Sequence, residues 1–139
     1  MAKKFLAWSL IFGVIVVVVA AGYSPKARAA VKELKIGVAC ALTGPGSGWG
    51  LPFRDATILL DGTTIDVAGE KYRVKLIFED NRYTSKDAVT ATNKLIFEDK
   101  VKFIAQFGTP CVLAAVPITE ENKVVMTGVA TVPGSTPQV

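Results

Sequence analysis

Histidine is absent from the sequence, and cysteine occurs only twice, at Cys40 and Cys111. Without histidine the chain cannot build a Ser-His-Asp triad, a histidine-ligated metal site or an imidazole general base. Two cysteines are also too few for a zinc site made of cysteine alone. We therefore expect no catalytic residues, no metal site and no cofactor, and we predict that the protein is not an enzyme.

The usual nucleotide-binding motifs are missing as well. Residues 43–50 are rich in glycine, but neither Gly44-x-Gly46 nor Gly46-x-Gly48 is followed by glycine three residues later. The dinucleotide fingerprint therefore fails, and no Gly-Lys-Ser/Thr sequence of a phosphate-binding loop occurs. Asp80 at a predicted strand end is compatible with ribose binding but is weak evidence alone.

Residues 5–22 form an apolar run that only Ser9 interrupts. Lys3 and Lys4 precede this run, and the small-x-small sequence Ala27-Arg28-Ala29 follows it. A basic start, an apolar middle and a small-residue exit are the three parts of a secretory signal peptide. We predict that residues 1–29 are this peptide and that cleavage near Ala29 leaves a mature chain beginning at about Ala30. The alternative is an uncleaved anchor, because about 18 apolar residues approach the length of a membrane-spanning helix.

The net charge of +4 comes from the predicted signal peptide. Four of the 16 basic residues lie in it, whereas all 12 acidic residues lie downstream. The mature chain therefore has as many basic as acidic residues. Nucleic-acid binding requires a basic surface, so we predict no nucleic-acid partner.

Apolar segments and helical periodicity alternate along the mature chain. Residues 34–40 read as a buried strand, and Thr84 with Asp87 resembles a capping box that starts a helix. Alternation of strands and helices predicts an α/β fold with a doubly wound parallel sheet. Pro52 is predicted to lie in the first turn of the first helix, and Pro117 to distort the third. The predicted strands are residues 34–40, 74–78, 101–107 and 124–127. The predicted helices are residues 52–60, 84–100 and 111–122.

Three loops follow predicted strands: residues 43–50, 108–111 and 129–131. Ligands of parallel α/β sheets bind beyond the carboxyl ends of the strands, where glycine allows close approach and threonine hydroxyls form hydrogen bonds. Loops of this composition suit a small carboxylate. Simpler interpretations exist: the glycine-rich segment is a flexible connector, Thr109 is a helix cap and Trp49 packs in the core.

Several short segments of the mature chain form a recognisable series. They are Leu-Lys-Ile-Gly-Val-Ala-Cys-Ala-Leu-Thr-Gly-Pro at 34–45, Glu-Asp-Asn at 79–81, Ser-Lys-Asp-Ala-Val at 85–89, Asn-Lys-Leu at 93–95, Ala-Ala-Val-Pro-Ile-Thr-Glu-Glu-Asn at 114–122, Val-Val-Met at 124–126 and Ala-Thr at 130–131. In this order and spacing they resemble the periplasmic branched-chain amino-acid-binding proteins of ABC importers. The resemblance covers nearly all of residues 34–133, and no single motif is diagnostic.

The resemblance implies the first of two α/β lobes that close on a ligand, so residues 30–139 would be a partial N-terminal lobe. It implies that Thr109 and the stretch Val129, Ala130 and Thr131 hold the carboxylate and amine of an amino acid, and that Trp49 packs on its side chain. The implied function is periplasmic capture of branched-chain amino acids or related small carboxylates for a permease in the inner membrane. A membrane-anchored ligand-sensing ectodomain with the same fold is the alternative.

Three departures from the family pattern stand out. The stretch between Gly50 and Tyr72 is several residues shorter than usual, which leaves the length of the first helix open. Tyr83 and Gly108 stand where some relatives have a disulfide pair. Cys40 and Cys111 follow neighbouring strands, and either pair with each other or remain buried free thiols.

Overall fold

A computed structural model describes residues 31–131. The predicted signal peptide, its cleavage site near Ala29 and the membrane-anchor alternative all lie outside these residues. Among residues 31–131, no helix is long and apolar enough to cross a membrane.

A five-stranded sheet in the order β2-β3-β1-β4-β5 is the centre of the fold. The strands β3, β1, β4 and β5 run parallel, and β2 pairs antiparallel with β3 at one edge. The four predicted strands are therefore confirmed, with the third beside the first as expected. The strand bounds are β1 Lys32–Cys40, β2 Thr64–Val67, β3 Glu70–Asp80, β4 Phe103–Phe107 and β5 Val125–Val129.

Three α-helices connect the parallel strands: α1 Ser47–Thr57, α2 Ser85–Phe97 and α3 Thr109–Glu121. The predicted start of α2 is confirmed with Thr84 as N-cap: the Asp87 N–H donates to the Thr84 hydroxyl oxygen at 3.1 Å. The second bond of a capping box is not formed, because the Thr84 N–H donates to the Asn81 carbonyl oxygen and the Asp87 carboxylate accepts from the Thr84 hydroxyl instead. The helix ends at Phe97, before the predicted Lys100, and α3 continues as a helix through Pro117.

The hydrophobic core lies between one face of the sheet and the helices α2 and α3. Gly37 allows α2 to lie close to β1, since a Cβ atom there would be 2.8 Å from Leu95 Cδ1. Leu95 itself is fully buried. Tight burial of apolar side chains on this face supplies the main stabilising free energy of the domain. The core cluster comprises Ala39, Ala91, Leu95, Ile96, Val101, Ile104, Val112, Ala115, Val124 and Met126.

The opposite face of the sheet is covered by α1 only near the carboxyl ends of the strands. There, Phe53 of α1 packs against Phe107 of β4 with ring centroids 5.3 Å apart. Toward the amino ends of the strands, the same face has an apolar depression of about 240 Å³. Phe103 and Val125, which line it, are 41% and 63% exposed. Parallel strands are usually buried on both faces. Residues 31–131 cover only part of this face. The depression is lined by Leu34, Ile36, Phe103, Ile104, Ala105, Val125 and Thr127.

The predicted start of α1 at Pro52 is wrong, because the helix begins at Ser47 and Pro52 lies inside it. Gly50 of this segment serves close packing. A Cβ atom on the buried Gly50 would lie 2.1 Å from the carbonyl oxygen of Ala41. Glycine is therefore needed for α1 to approach the end of β1, and residues 47–50 are not a flexible connector.

The shortened segment between Gly50 and Tyr72 contains a strand, β2, that was not predicted from the sequence. A 3₁₀ turn at Ile58–Leu60 follows α1, and the chain then forms the β2–β3 hairpin. Ala68 and Gly69 both have positive φ angles, of 53° and 83°. Such mirror-image turns match the twist of a two-stranded hairpin. Pairing with β2 explains why β3 begins at Glu70 and not at the predicted Val74.

We predict that Leu95→Ala lowers the free energy of unfolding of the mature protein by about 2–5 kcal/mol, because it leaves a cavity between α2 and β1. Leu59→Ala is the matched control, since Leu59 is 77% exposed and its truncation should change the free energy by about 0.5 kcal/mol or less. Urea denaturation followed by circular dichroism gives both values. Equal effects of the two substitutions would contradict the assignment of this core.

Candidate functional site

The carboxyl ends of β1, β3, β4 and β5 meet at one edge of the sheet, which we call the rim. The chain leaves each strand there through a short turn, and α1, α2 and α3 begin at the same edge. Helix amino termini expose N–H groups that lack partners within the helix, and they favour negative charge. Because these strands are parallel, the three predicted loops meet at this edge of the sheet.

Thr109 and Thr131 are brought together at the rim although 22 positions separate them in the chain. Their hydroxyl oxygens are 3.3 Å apart, and the Thr131 N–H donates to the Thr109 hydroxyl oxygen at 3.2 Å. Both residues are exposed or partly exposed. The interpretation of Thr109 as a helix cap is wrong, because Gly108 is the N-cap and Thr109 is the first residue of α3. Its hydroxyl is instead joined to the turn after β5.

Val129 and Ala130 contribute to the rim differently from Thr131. The carbonyl oxygen of Val129 accepts a hydrogen bond from the Gly108 N–H at 3.2 Å, which joins the two turns. Ala130 is partly buried and packs against the core. Of the three predicted residues after β5, Thr131 is therefore the one that presents a polar side chain beside Thr109.

Trp49 lies in the first turn of α1 and is 67% exposed, so the alternative that it packs in the core is wrong. Its ring neighbours that of Tyr83, with centroids 6.4 Å apart and ring planes tilted by 57°. Tyr83 lies between Trp49 and the turn that precedes Thr109.

The Tyr83 ring occupies the space beside two glycines. A Cβ atom on Gly108 would lie 2.9 Å from Tyr83 Cδ2, and one on Gly46 would lie 2.6 Å from Tyr83 Cβ. The ring also neighbours Phe107, with centroids 6.2 Å apart. Tyr83 and Gly108, which stand where some relatives have a disulfide, are therefore in direct contact as ring and backbone. The sequence analysis missed Tyr83 as a rim residue, although its place just after the Glu-Asp-Asn segment was a signal.

Asn81 links three parts of the rim through its fully buried amide. The amide nitrogen donates to the carbonyl oxygens of Ala39 in β1 and Phe107 in β4, at 3.2 and 2.8 Å. The amide oxygen accepts from the Tyr83 N–H at 3.0 Å. Since a buried amide is costly without partners, these bonds fix the turn after β3 against two neighbouring strands.

Asp80 organises the glycine-rich segment. Its carboxylate accepts hydrogen bonds from the N–H groups of Leu42, Thr43 and Arg82, and from the Thr43 hydroxyl. Burial raises the pKa of Asp80, but the hydrogen bonds from Thr43, Arg82 and Leu42 outweigh it and hold the pKa below its usual value. Asp80 therefore has a structural role at the end of β3. Among residues 31–131, no group of three or more potential metal ligands occurs.

The sequence model of the periplasmic binding protein family matches residues 33–138, which is most of the chain. The chain belongs to this family. A search of curated proteins found no match.

Solved structures of periplasmic binding proteins resemble the described fold. A leucine-binding protein from Thermotoga maritima is 29% identical with a TM-score of 0.60, over 70% of this chain and 27% of that one. A solute-binding protein of an ABC transporter from Rhodopseudomonas palustris BisB5, in complex with 3,4-dihydroxybenzoic acid, is 27% identical with a TM-score of 0.61. The match covers 70% of this chain and 27% of that one. An extracellular ligand-binding receptor from Rhodopseudomonas palustris shares the fold at 21% identity and a TM-score of 0.62, over 76% and 29%. The chain thus spans less than a third of the length of these structures.

Of the two alternatives for Cys40 and Cys111, the described structure has the buried free thiols and not the disulfide. Side chains alternate between the two faces of a strand. Ala39 faces the core under α2 and α3, so the next residue, Cys40, faces the side covered by α1. Cys111 belongs to α3, and its thiol contacts the Thr84 carbonyl oxygen at 3.6 Å. The two thiols therefore lie on opposite sides of the sheet.

Burial raises the pKa of each cysteine thiol to about 11, and the carboxylates of Asp80 and Asp87 act in the same direction on Cys40 and Cys111 respectively. We predict that neither thiol reacts appreciably with iodoacetamide in the native protein at pH 8, because the reactive thiolate forms only as the pH approaches 11. Unfolding in urea should expose both thiols to alkylation. Peptide mapping by mass spectrometry, with and without reductant, measures this, and a peptide linked through Cys40 and Cys111 would contradict it.

Proposed function

We propose that this chain is part of the extracytoplasmic solute-binding component of an ABC transporter. Its ligand would be an amino acid of the branched-chain type or a related small carboxylate. The observation that carries the proposal is the pair of hydroxyls of Thr109 and Thr131 at the amino terminus of α3.

The chemistry of this pair suits a carboxylate. Hydroxyl groups can turn their hydrogens toward an anion, and hydrogen bonds to charged acceptors are about twice as strong as neutral ones. The amino terminus of α3 adds a partial positive charge beside the same pair. The Gly108–Val129 backbone bond supports this geometry, because it holds the turn before α3 against the turn after β5.

The relatives bind ligands that share this group. One is named a leucine-binding protein, and others are in complex with 3,4-dihydroxybenzoic acid or 4-hydroxybenzoate. Leucine and the hydroxybenzoates have in common only a carboxylate on a small apolar body. This supports assignment of the carboxylate to the hydroxyl pair and of the variable part of the ligand to the neighbourhood of Trp49.

The mechanism would be binding and closure of two lobes, without a chemical step. The rim is open to solvent, so residues 30–139 as a partial N-terminal lobe would supply one side of the site only. A second lobe closing over the rim would exclude water and strengthen the hydrogen bonds to the ligand. The closed form would then deliver the ligand to a permease in the inner membrane.

Export fits the same proposal. Residues 1–29 would be a signal peptide, and cleavage near Ala29 would release the mature chain into the periplasm. The apolar run of residues 5–22 favours a second candidate, a membrane-anchored ligand-sensing ectodomain with the same fold.

We expect the mature protein purified from the periplasmic fraction to begin at about Ala30, as measured by amino-terminal sequencing. Replacing Ala27 and Ala29 by bulky residues should block processing, because the peptidase requires small side chains at these positions. A protein that retains Met1 and remains in the membrane fraction would instead favour the anchored ectodomain.

We predict that Thr109→Val weakens binding of a carboxylate ligand by the full-length mature protein about tenfold, which corresponds to one hydrogen bond to a charged group. Valine keeps the shape of threonine and removes the hydroxyl. Thr90→Val is the matched control, since Thr90 is an exposed threonine of α2 whose hydroxyl bonds to the Lys86 carbonyl oxygen. Calorimetric titration with leucine and with 4-hydroxybenzoate measures the affinities, and equal affinities of the two variants would refute the role of the hydroxyl pair.

A further inference from the structure

We propose that the core beneath the rim contains a site for internal water, in which at least one ordered water molecule joins the Gln106 amide of β4 to the Thr92 hydroxyl of α2. The site lies in the layer between the sheet and the helices α2 and α3. It is separate from the hydroxyl pair of Thr109 and Thr131, so the inference does not depend on the proposed function.

Gln106 is the largest polar residue among the fully buried side chains of residues 31–131. Neither its amide nitrogen nor its amide oxygen has a hydrogen-bond partner within that range. Asn81 is buried to the same extent, and both atoms of its amide form hydrogen bonds. A buried amide without partners is costly, and native proteins almost always pair such groups with protein atoms or with ordered water.

The hydroxyl of Thr92 is a second buried polar group of this kind. Thr92 is fully buried in α2, and its hydroxyl oxygen has no hydrogen-bond partner in the described part of the chain. A threonine inside a helix can bond to a carbonyl oxygen three or four residues earlier. Thr119 of α3 does so with the carbonyl oxygens of Ala115 and Val116. The Thr92 hydroxyl is therefore free to bind a ligand outside its own helix.

The register of the sheet brings Gln106 and Thr92 to the same place. Gln106 is beside Ala39 of β1, which faces the core under α2 and α3, so Gln106 faces that core as well. Leu95 of α2 lies against Gly37, which precedes Ala39 on the same face. Thr92 is one helical turn before Leu95, and α2 runs from the rim back along the strands, so Thr92 lies over Ala39. Gln106 and Thr92 therefore approach Ala39 from β4 and from α2.

The surroundings of Gln106 suit a water molecule in size and in polarity. Ala39 and Gly128 are beside it on the two neighbouring strands, and neither has a long side chain. Ala91, next to Thr92 in α2, is also small and buried. An internal water typically makes about three hydrogen bonds. The amide offers a donor and an acceptor, and the hydroxyl can act as either, so the two side chains provide the required partners.

A water molecule at this place would hold the half of α2 nearest the rim against β4. Hydrogen bonds mediated by water are nearly as favourable as direct ones. The carbonyl group of Phe107, the residue after Gln106, accepts a hydrogen bond from the Asn81 amide. The water would therefore add a second polar link to the strand that leads to Thr109, on the side of the sheet covered by α2 and α3.

A double-mutant cycle of Gln106→Met and Thr92→Val in the full-length mature protein tests the inference. If water joins the two groups, each single substitution leaves the other group buried without its partner, and we expect it to raise the unfolding equilibrium constant about five- to hundredfold. The double variant should then be no less stable than the less stable single variant. Urea denaturation followed by circular dichroism measures the constants. If both groups are dry and unpaired, each substitution should lower the constant independently, and this result would overturn the inference.

Thr119→Val is the matched control, since Thr119 is a buried threonine whose hydroxyl already has partners within α3. Its effect should be the same in the wild-type protein and in the Gln106→Met variant.

A high-resolution crystal structure of the mature protein tests the site directly and decides the matter if Gln106→Met does not fold. We expect a water oxygen within about 3.2 Å of both the Gln106 amide and the Thr92 hydroxyl. A direct bond between the two side chains, or a dry contact between them, would overturn the inference.

Discussion

The buried amide of Asn81 is the interaction on which the geometry of the rim depends. It bonds to the ends of β1 and β4 and to the N–H of Tyr83, so one side chain fixes the turn after β3 against two strands. An apolar residue of similar size at this position would leave two strand-end carbonyl oxygens and one N–H without these partners. The same amide therefore contributes to the stability of the sheet and to the placement of Tyr83 at the rim.

The other features of the rim follow from this placement. Tyr83 is directed between Gly46 and Gly108, and these positions must be glycine because a Cβ atom would collide with Tyr83. Asp80 immediately precedes Asn81, and its carboxylate accepts hydrogen bonds from the backbone N–H groups of Leu42 and Thr43. These bonds hold the start of the glycine-rich segment. The rim is thus built from short, closely packed turns. At Gly108 the Tyr83 ring packs directly on the backbone.

Predictions from the sequence were most accurate where a local pattern decides the outcome. The four parallel strands, the N-cap at Thr84 and the meeting of the loops after β4 and β5 at one edge follow from periodicity, from the local capping pattern and from the rules of parallel sheets. The predictions failed where long-range contacts decide. The start of α1 depends on the contact between Gly50 and Ala41, and β2 forms only because β3 offers it an edge with which to pair.

The sequence by itself determined the class of fold and the four parallel strands, because these depend on alternation of apolar segments and on chain chirality. Only the tertiary structure decided which side of the sheet each residue faces. Cys40 and Cys111 lie near the ends of neighbouring strands and yet are separated by the sheet, whereas Trp49 and Tyr83, far apart in the chain, are neighbours. A one-residue change of register reverses the face of every side chain in a strand, and only the packing of α1, α2 and α3 fixes that register.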